Sequence, residues 1–509
     1  MNSFQRKSLY AALAGVGALG VAATANAVQL NPNGLGQVLI YPYYTTNADA
    51  SGNAFNSLLS VVNTTDSAKA VKVRFLESFH SIEVLDFNLF LSAHDVWTAA
   101  VLPSSSGGAM LITQDNSCTI PGNSAIKAGV NFVNSAYQGD GAGSTLDRTK
   151  EGYVEIIEMA TYSSTSCTSA AVTHINSVPD CQGHAKHPLS DTQASLDASF
   201  SSGGLFGGMT LINVGEGQAY SQDAVALTDF NCGPLYFNAG TILPNLANVG
   251  ACKSNTSDLG PKSLTVGANR HFDGTDLGVY GSFWPVIPAT SYLAIDAVSA
   301  VLMHDTISNE YALDASILAG TDWVVTMPTK TFYIHNGTGP ATKLFQNNFN
   351  KTDLSCDDIS LNIYDREENT TTNPVSFSPP SPGQTAQLCY EANVVTFSNS
   401  NVLGTHQTKG LHSVTPPTGF THGWLKLGFA VQSSSTVHTL GNQTHTSHLR
   451  NVSTLSTGLT KTYIGLPVVG FAVQSFTNGT LVVGGQNVLA RYGLSFIQKG
   501  SVRVVCALC

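Results

Sequence analysis

The sequence predicts an all-β protein, mainly an antiparallel β-sandwich of immunoglobulin-like architecture with one or two short helices and long Ser/Thr/Gly-rich loops. Three observations predict this class: apolar and polar residues alternate along many short segments, helical periodicity is scarce, and turn-forming residues fill the intervening stretches. A structure embedded in a membrane through its strands would need regular alternating segments of about ten residues, flanked by aromatic girdles. The irregular spacing of the segments therefore favours the sandwich.

Residues 1–27 have the composition of a secretory signal peptide. Arg6 and Lys7 precede an uncharged, mostly apolar run that ends in Ala-Asn-Ala, so cleavage is expected before Val28. Without Arg6 and Lys7, the 23 basic residues become 21 against 33 acidic ones, which is a net charge of −12. A chain with this negative net charge lacks the excess of basic residues that nucleic-acid binding requires. Only 11% of the residues are charged, and a surface with few charges suits self-association or contact with other cell-surface components.

Period-two alternation predicts strands throughout the chain. In AVKVRFLES, Val71, Val73 and Phe75 alternate with Lys72 and Arg74, which is the pattern of a half-buried strand. The same pattern predicts strands in SIEVLDFNLFLS, EGYVEIIEMATY, GMTLINV, WLKLGFAVQ, YIGLPVVGFAVQSF and GTLVVGG. The aromatic run YPYY at residues 41–44 is interpreted as exposed.

Helical patterning is limited to two segments. Ile295, Val298 and Leu302 form one stripe in AIDAVSAVLMHD, which predicts a helix, and SQDAVALTDF predicts a second, shorter one. The length allows one large β-sandwich region with loop insertions over residues 28–345, followed by a second β-rich region over residues 346–509. The second region either stands beside the first or completes the same sandwich.

Nine cysteines in an exported chain indicate disulfides. The candidates are Cys118, Cys167, Cys181, Cys232, Cys252, Cys356, Cys389, Cys506 and Cys509. The shortest loops would join Cys232 to Cys252, Cys356 to Cys389 and Cys167 to Cys181, although the spacing alone does not fix the pairing. Cys506 and Cys509 form a C-x-x-C that is either a redox or metal pair or a staple, and its place at the end of the chain favours the staple. The odd number leaves at least one thiol free or intermolecular.

The stretch GTDWVVTMPTK at residues 320–330 sets Asp322 beside Trp323. A carboxylate next to an indole fits the floor of a sugar site, and it equally fits the start of a strand. Trp323, Val325 and Met327 share one face while Val324 lies on the other, so we predict a strand covered on both sides. Asp322 is then expected to satisfy backbone donors rather than to act on a substrate.

A carbohydrate-active enzyme or carbohydrate-binding protein is the alternative function. A hydrolase of this kind would need two carboxylates about 5 Å or about 6.5–9.5 Å apart. Glu310, Asp322 and the pair Asp365 and Glu367 are the candidates, the last two being expected on one strand face. The sequence does not place any of them opposite another, so no catalytic residue is assigned.

Metal ligation has weak support in the sequence, and no cofactor is expected. His184 with His187, and His438, His445 and His448, have metal-compatible spacings, but both groups lie in polar loops. Asp140 with Asp147, and Asp273 with Asp276, are glycine-rich acidic loops that do not fit an EF-hand. The sequence contains no H-E-x-x-H, G-x-S-x-G or C-x-x-C-H motif.

The segments EGYVEIIEM, TDWVVTMPTK, YDREE, CYEANVVTF and GLPVVGF carry a resemblance. From about Gly36 to about residue 500, the chain resembles exported cell-surface proteins of Gram-negative bacteria whose activity is uncharacterised. The resemblance implies an extracellular or outer-surface location and a β-rich fold, and it transfers no site residue. We therefore expect a non-catalytic structural or interaction protein, such as a subunit of a layer, filament or matrix.

Overall fold

The computed structural model describes most of the chain. The described residues are 28–49, 51–137, 142–181, 188–231, 233–248, 270–273, 281–284, 295–334, 344–345, 349, 354–370, 386–398, 400–429, 439–447 and 456–506. The leader expected at residues 1–27 lies outside them.

The first half of the chain forms fifteen of the described strands. They are β1 (Gln29–Leu30), β2 (Val38–Thr45), β3 (Phe55–Asn63), β4 (Ala68–Glu77), β5 (Glu83–Leu91), β6 (Val96–Pro103), β7 (Ala109–Ile112), β8 (Cys118–Ile120), β9 (Val130–Asn131), β10 (Glu151–Tyr162), β11 (His174–Ile175), β12 (Val178–Pro179), β13 (Leu205–Asn213), β14 (Gln218–Asp223) and β15 (Val225–Thr228).

Seventeen further described strands follow. They are β16 (Arg270–Asp273), β17 (Gly281–Trp284), β18 (Met303–His304), β19 (Thr306–Ala312), β20 (Gly320–Thr326), β21 (Asp357–Asp365), β22 (Ala386–Leu388), β23 (Ala392–Phe397), β24 (Ser413–Val414), β25 (His422–Gly428), β26 (Thr439–Ser447), β27 (Ser456–Ile464), β28 (Leu466–Pro467), β29 (Val469–Val483), β30 (Gln486–Ile497), β31 (Lys499–Ser501) and β32 (Arg503–Cys506).

The helices are short. Within the described ranges there are five α-helices, rather than the one or two expected: α1 (Ser124–Ala128), α2 (Cys167–Val172), α3 (Asp191–Asp197), α4 (Ile295–Val301) and α5 (Thr331–Ile334). At four to seven residues, most are too short to show a full apolar stripe, which is why periodicity did not reveal them. The helix predicted in AIDAVSAVLMHD is α4, and Ile295, Val298 and Leu302 are all buried.

Four large sheets form two antiparallel sandwiches. Sheet 1 has the order β1-β15-β2-β10-β4-β5-β8, and sheet 2 has the order β14-β13-β3-β6-β7-β9. Sheet 3 has the order β22-β21-β25-β19-β31, and sheet 4 has the order β24-β23-β20-β29-β30. Sheets 1 and 2 form the first sandwich and sheets 3 and 4 the second, and the buried apolar residues of both belong to one cluster. The predicted antiparallel β-sandwich class is confirmed.

A further described sheet has the order β16-β17-β26-β27-β32, and β11–β12 and β18–β28 form two-stranded pairs. Among the described ladders only the one between β23 and β24 is parallel. Strands on the two sides of residue 345, the boundary predicted from the sequence, share sheets. Strands β19 and β20, which precede it, pair with β25 and β29, which follow it.

The half-buried strand predicted in AVKVRFLES is wrong, because β4 is buried along its whole length. Lys72 is fully buried and Arg74 is 7% exposed. Sheet 1 is covered on both faces: Met159 and Tyr162 pack in a second, smaller core with Val172 of α2. Basic residues at alternate positions of β4 therefore do not indicate a solvent-exposed face. Acids on neighbouring strands pair with them, as Asp86 does with Lys72.

Two further sequence interpretations are corrected. In YPYY, Tyr41, Tyr43 and Tyr44 are fully buried in the central strand β2 rather than exposed. SQDAVALTDF contains no helix and instead forms β14 and β15, because Val225 and Leu227 pair with β2 in sheet 1. Tertiary pairing overrides a weak local helical pattern.

The structure shows two disulfides in the described residues. Cys356 bonds to Cys389, as the short-loop pairing predicts, and joins the start of β21 to the end of β22. Cys118 bonds to Cys181, so the pairing of Cys167 with Cys181 is wrong. Cys167 is not disulfide-bonded. Cys232, Cys252 and Cys509 lie outside the described residues, and only the backbone of Cys506 is described.

Candidate functional site

Asp322 is a structural residue in the middle of sheet 4. Its side chain is fully buried on β20, which is covered on both faces as predicted. One carboxylate oxygen accepts a hydrogen bond from the backbone N–H of Leu403 at 2.8 Å, and the other accepts one from the Ser400 hydroxyl at 3.1 Å. Asp322 therefore holds the loop that follows β23, and Trp323 packs on Phe397 in the core beside it.

Burial raises the pKa of Asp322 to about 7. In the unfolded chain an aspartate ionises near pH 4, so between about pH 4 and about pH 7 the unfolded state loses a proton that the folded state keeps. The contribution of Asp322 to stability is complete below about pH 4 and is lost as the pH rises through about 7. Asp322→Asn should flatten the dependence of the unfolding free energy on pH in this window, as measured by urea titrations at several pH values.

The matched control for this measurement is Glu367→Gln, which makes the same change from carboxylate to amide at a side chain that is 61% exposed. Asp322→Ala should lower the unfolding free energy by about 2 kcal/mol at pH 5, because the buried N–H of Leu403 loses its acceptor. Parallel pH profiles for wild type and Asp322→Asn would contradict the assignment.

A second buried carboxylate, Glu151 on β10, holds the same loop from the first sandwich. Glu151 accepts hydrogen bonds from Tyr43 at 2.7 Å, from Thr405 at 3.1 Å and from the Gln407 amide at 3.2 Å. Burial raises its pKa. Because Tyr43 belongs to sheet 1 and Thr405 and Gln407 belong to the loop after β23, this carboxylate joins the two sandwiches.

A third buried carboxylate, Glu391, also connects the two sandwiches. We call this contact, formed by Glu151 and Glu391 with their partners, the joint. The hydroxyl of Ser81 donates to Glu391, and the hydroxyl of Tyr153 donates to Ser81 at 2.7 Å. Burial raises the pKa of Glu391 to about 8. Lys330, also fully buried, pairs with Asp357 at 3.0 Å. The group resembles an acid–base set in composition, but its members are buried and do not line the cleft described below.

The acids proposed for a sugar hydrolase do not converge. Glu310 pairs across sheet 3 with Trp424, which pairs with Tyr364, so these three side chains share one face. Asp365 is one position further along and lies on the opposite face. Strand β21 ends at Asp365, whose carboxylate accepts the backbone N–H of Glu367 at 3.0 Å. The expectation that Asp365 and Glu367 share a strand face is therefore wrong, since Glu367 lies in the turn after the strand.

The proposed metal ligands fall largely outside the described residues. His184, His187, His438, His448, Asp140 and Asp276 lie there, and no side chain is described for His445 or Asp273. Asp147 pairs with Lys150 at 2.6 Å. In the part of the chain that the structure describes, no three His, Cys, Asp or Glu side chains are grouped to hold a metal. None of the described helices is long and apolar enough to cross a bilayer.

A cleft lies at the junction of the two sandwiches. Its volume is about 1380 Å³. Strands β3, β6, β7, β13 and β14 of sheet 2 line one side, and β29 and β30 of the second sandwich line another. Sheet 1 contributes through β1, β2, β15 and the segment after β1. Leu58, which is 41% exposed, and Thr98 lie on the wall formed by sheet 2.

Strands β14 and β30 lie against each other at this junction. The amide of Gln218 donates to the backbone oxygen of Tyr492 at 3.5 Å, and Arg491 forms an ion pair with Glu216. A Cβ atom at Gly493 would lie 2.6 Å from the backbone oxygen of Ala219, so a glycine is needed for this approach. The edge strands of sheets 2 and 4 therefore cover each other beside the cleft.

Comparison with known proteins adds no relative. No protein-family model, no curated protein and no solved structure matches the chain. The fold and the geometry above are therefore the basis of the functional argument.

Sequence reasoning missed the joint and the cleft. A signal for buried carboxylates was present: EGYVEIIEM begins with Glu151 and is interrupted by Glu155 and Glu158, and Glu391 interrupts CYEANVVTF. An acid within an otherwise apolar strand indicates a buried carboxylate with fixed partners. The cleft had no such signal, because its lining comes from segments that are far apart in the chain.

Proposed function

We propose that the protein is an exported cell-surface component that acts by structure and contact, as a subunit of a layer, filament or matrix, and has no catalytic activity. The supporting observation is how its carboxylates are used. Asp322 holds the loop that follows β23, and Glu151 and Glu391 fasten the two sandwiches together through Gln407 and Ser81. Glu310 lies on the surface, and the neighbouring candidate Asp365 lies on the other face of sheet 3.

Several further features support a surface role. The leader-like residues 1–27 and the resemblance to exported surface proteins argue for export. Two disulfides, Cys118–Cys181 and Cys356–Cys389, are typical of proteins in an oxidising compartment. A surface with few charges limits repulsion between copies. The expected partners are other copies of the chain or cell-surface components, and not nucleic acid.

The full chain, including residues 1–27, should be expressed in a Gram-negative bacterium to test this proposal. We expect amino-terminal sequencing of the mature protein to begin at Val28, and external protease to cleave the protein on intact cells. Purified mature protein should form ordered assemblies by electron microscopy and light scattering. Cytoplasmic retention of the uncleaved chain would contradict the proposal, and so would a monomer with glycosidase activity that Glu310→Gln removes.

A further inference from the structure

We propose that the cleft at the junction of the sandwiches binds an uncharged polysaccharide of the cell surface. This inference rests on the proposed surface role and names the component that the protein contacts. Pockets for single small molecules typically measure about 300–1000 Å³. A cleft of about 1380 Å³ therefore has room for a longer ligand, such as several linked sugar rings.

The lining carries almost no charge and combines hydroxyl groups with apolar side chains such as Leu58 and Phe496, which favours a neutral ligand with both polar and apolar faces. Asp223 is its single ionisable side chain, and neither lysine nor arginine contributes to the lining described. Ser60, Thr98, Thr210 and Ser221 supply hydroxyl groups, which both donate and accept hydrogen bonds as sugar hydroxyls require. An anionic polysaccharide would meet no lysine or arginine in the cleft and would approach a protein whose net charge is negative.

Three polar atoms of residues that line the cleft are buried without a partner, and a ligand would reach them only after their side chains rotate toward the cleft. The amide nitrogens of Gln222 and Gln498 and the hydroxyl of Ser495 are inaccessible in the described structure and make no hydrogen bond to its residues. An unpaired buried donor costs about 1–3 kcal/mol, so such groups call for a partner. Gln222 and Ser495 belong to β14 and β30, the two strands that meet at the junction.

Two other occupants fit the geometry less well. A polypeptide that adds a strand needs a free sheet edge, and the edges of β14 and β30 at the cleft cover each other. A second copy would have to present the same surface in a two-fold dimer. A concave cleft is not complementary to itself, so this face does not suit such a dimer.

The test uses the purified mature chain with its disulfides intact on an array of neutral and acidic bacterial and plant glycans, followed by calorimetric titration of the neutral glycan that binds best. Thr98→Trp should fill the cleft and weaken binding at least about tenfold. Gln222→Leu should weaken it by about fivefold to tenfold, through the loss of one hydrogen bond. Val96→Trp is the matched control, because Val96 lies on the same strand two residues away and does not line the cleft.

We expect wild type and Val96→Trp to bind the same neutral glycan with equal affinity, while all variants keep the wild-type melting temperature within a few degrees. Binding to no neutral glycan, binding to acidic glycans alone, or equal binding by Thr98→Trp would overturn the inference. Its failure is distinguishable from failure of the proposed function: a protein that reaches the cell surface and assembles but binds no neutral glycan refutes only the inference. A glycan-binding protein retained in the cytoplasm refutes only the proposed function.

Discussion

Replacing Lys69 by methionine should lower the free energy of unfolding by about 3–5 kcal/mol, the cost of breaking one side of a buried ion pair. Lys69 and Glu158 are both fully buried, with 2.7 Å between the ammonium nitrogen and the carboxylate oxygen. Glu158 also accepts the backbone N–H groups of Ser202 and Gly203 at 3.1 and 2.8 Å. The variant keeps these bonds but leaves the carboxylate without its cation. Urea denaturation at pH 7 measures the effect.

The double variant Lys69→Met/Glu158→Gln should recover part of the loss, because a neutral amide costs less to bury than an unpaired carboxylate. Lys150→Met is the surface control: Lys150 pairs with Asp147, whose side chain is 72% exposed, and such pairs contribute about 0–1 kcal/mol. If Lys69→Met were no more costly than Lys150→Met, the buried pair would not stabilise the fold as the structure indicates.

Removing the Cys118–Cys181 disulfide should lower the free energy of unfolding by about 4 kcal/mol. The two cysteines are 63 residues apart in the chain, and the entropy that a cross-link removes from the unfolded chain rises with the length of the closed loop. The bond joins β8, at the edge of sheet 1, to the segment that carries α2 and α3. The variant is Cys118→Ala/Cys181→Ala, and guanidinium denaturation without reductant measures the change.

Cys167→Ala provides the control, since Cys167 is not disulfide-bonded and should tolerate replacement with a small change in stability. A reducing agent should destabilise wild type and Cys167→Ala, and it should destabilise Cys118→Ala/Cys181→Ala less, because only the Cys356–Cys389 bond of the two described here remains there. Equal stability of the double variant and wild type under oxidising conditions would contradict the pairing of Cys118 with Cys181.

Some of the few charged side chains form ion pairs inside the protein, where they connect neighbouring strands. Arg74 on β4 binds Glu155 on β10 at 2.5 Å and Glu83 on β5 at 2.7 Å, so one guanidinium links three neighbouring strands. Charge-assisted hydrogen bonds of this kind are shorter and stronger than neutral ones. Together with the carboxylates at the joint, they make the two sandwiches a suitable scaffold for a surface role.

The sequence by itself was sufficient for the β class, for helix α4 and for both covered faces of β20, and its short-loop pairings included the Cys356–Cys389 bond without fixing it. Each of these depends on patterns within a few residues or, for the disulfide, on a short separation of 33 residues. The burial predicted for β4 and for YPYY from local sequence was wrong. A local pattern shows which residues are polar, but it does not show what packs against them.

Only the tertiary structure decided what the buried charges bind and where a cleft forms. Lys69 meets Glu158 from 89 residues away, and Gln407 meets Glu151 from 256 residues away. Residues so far apart in the sequence come into contact only when particular strands pair and the two sandwiches pack together. Hydrophobic alternation is a property of the local backbone, whereas the partner of a buried charge is set by which distant strand arrives beside it.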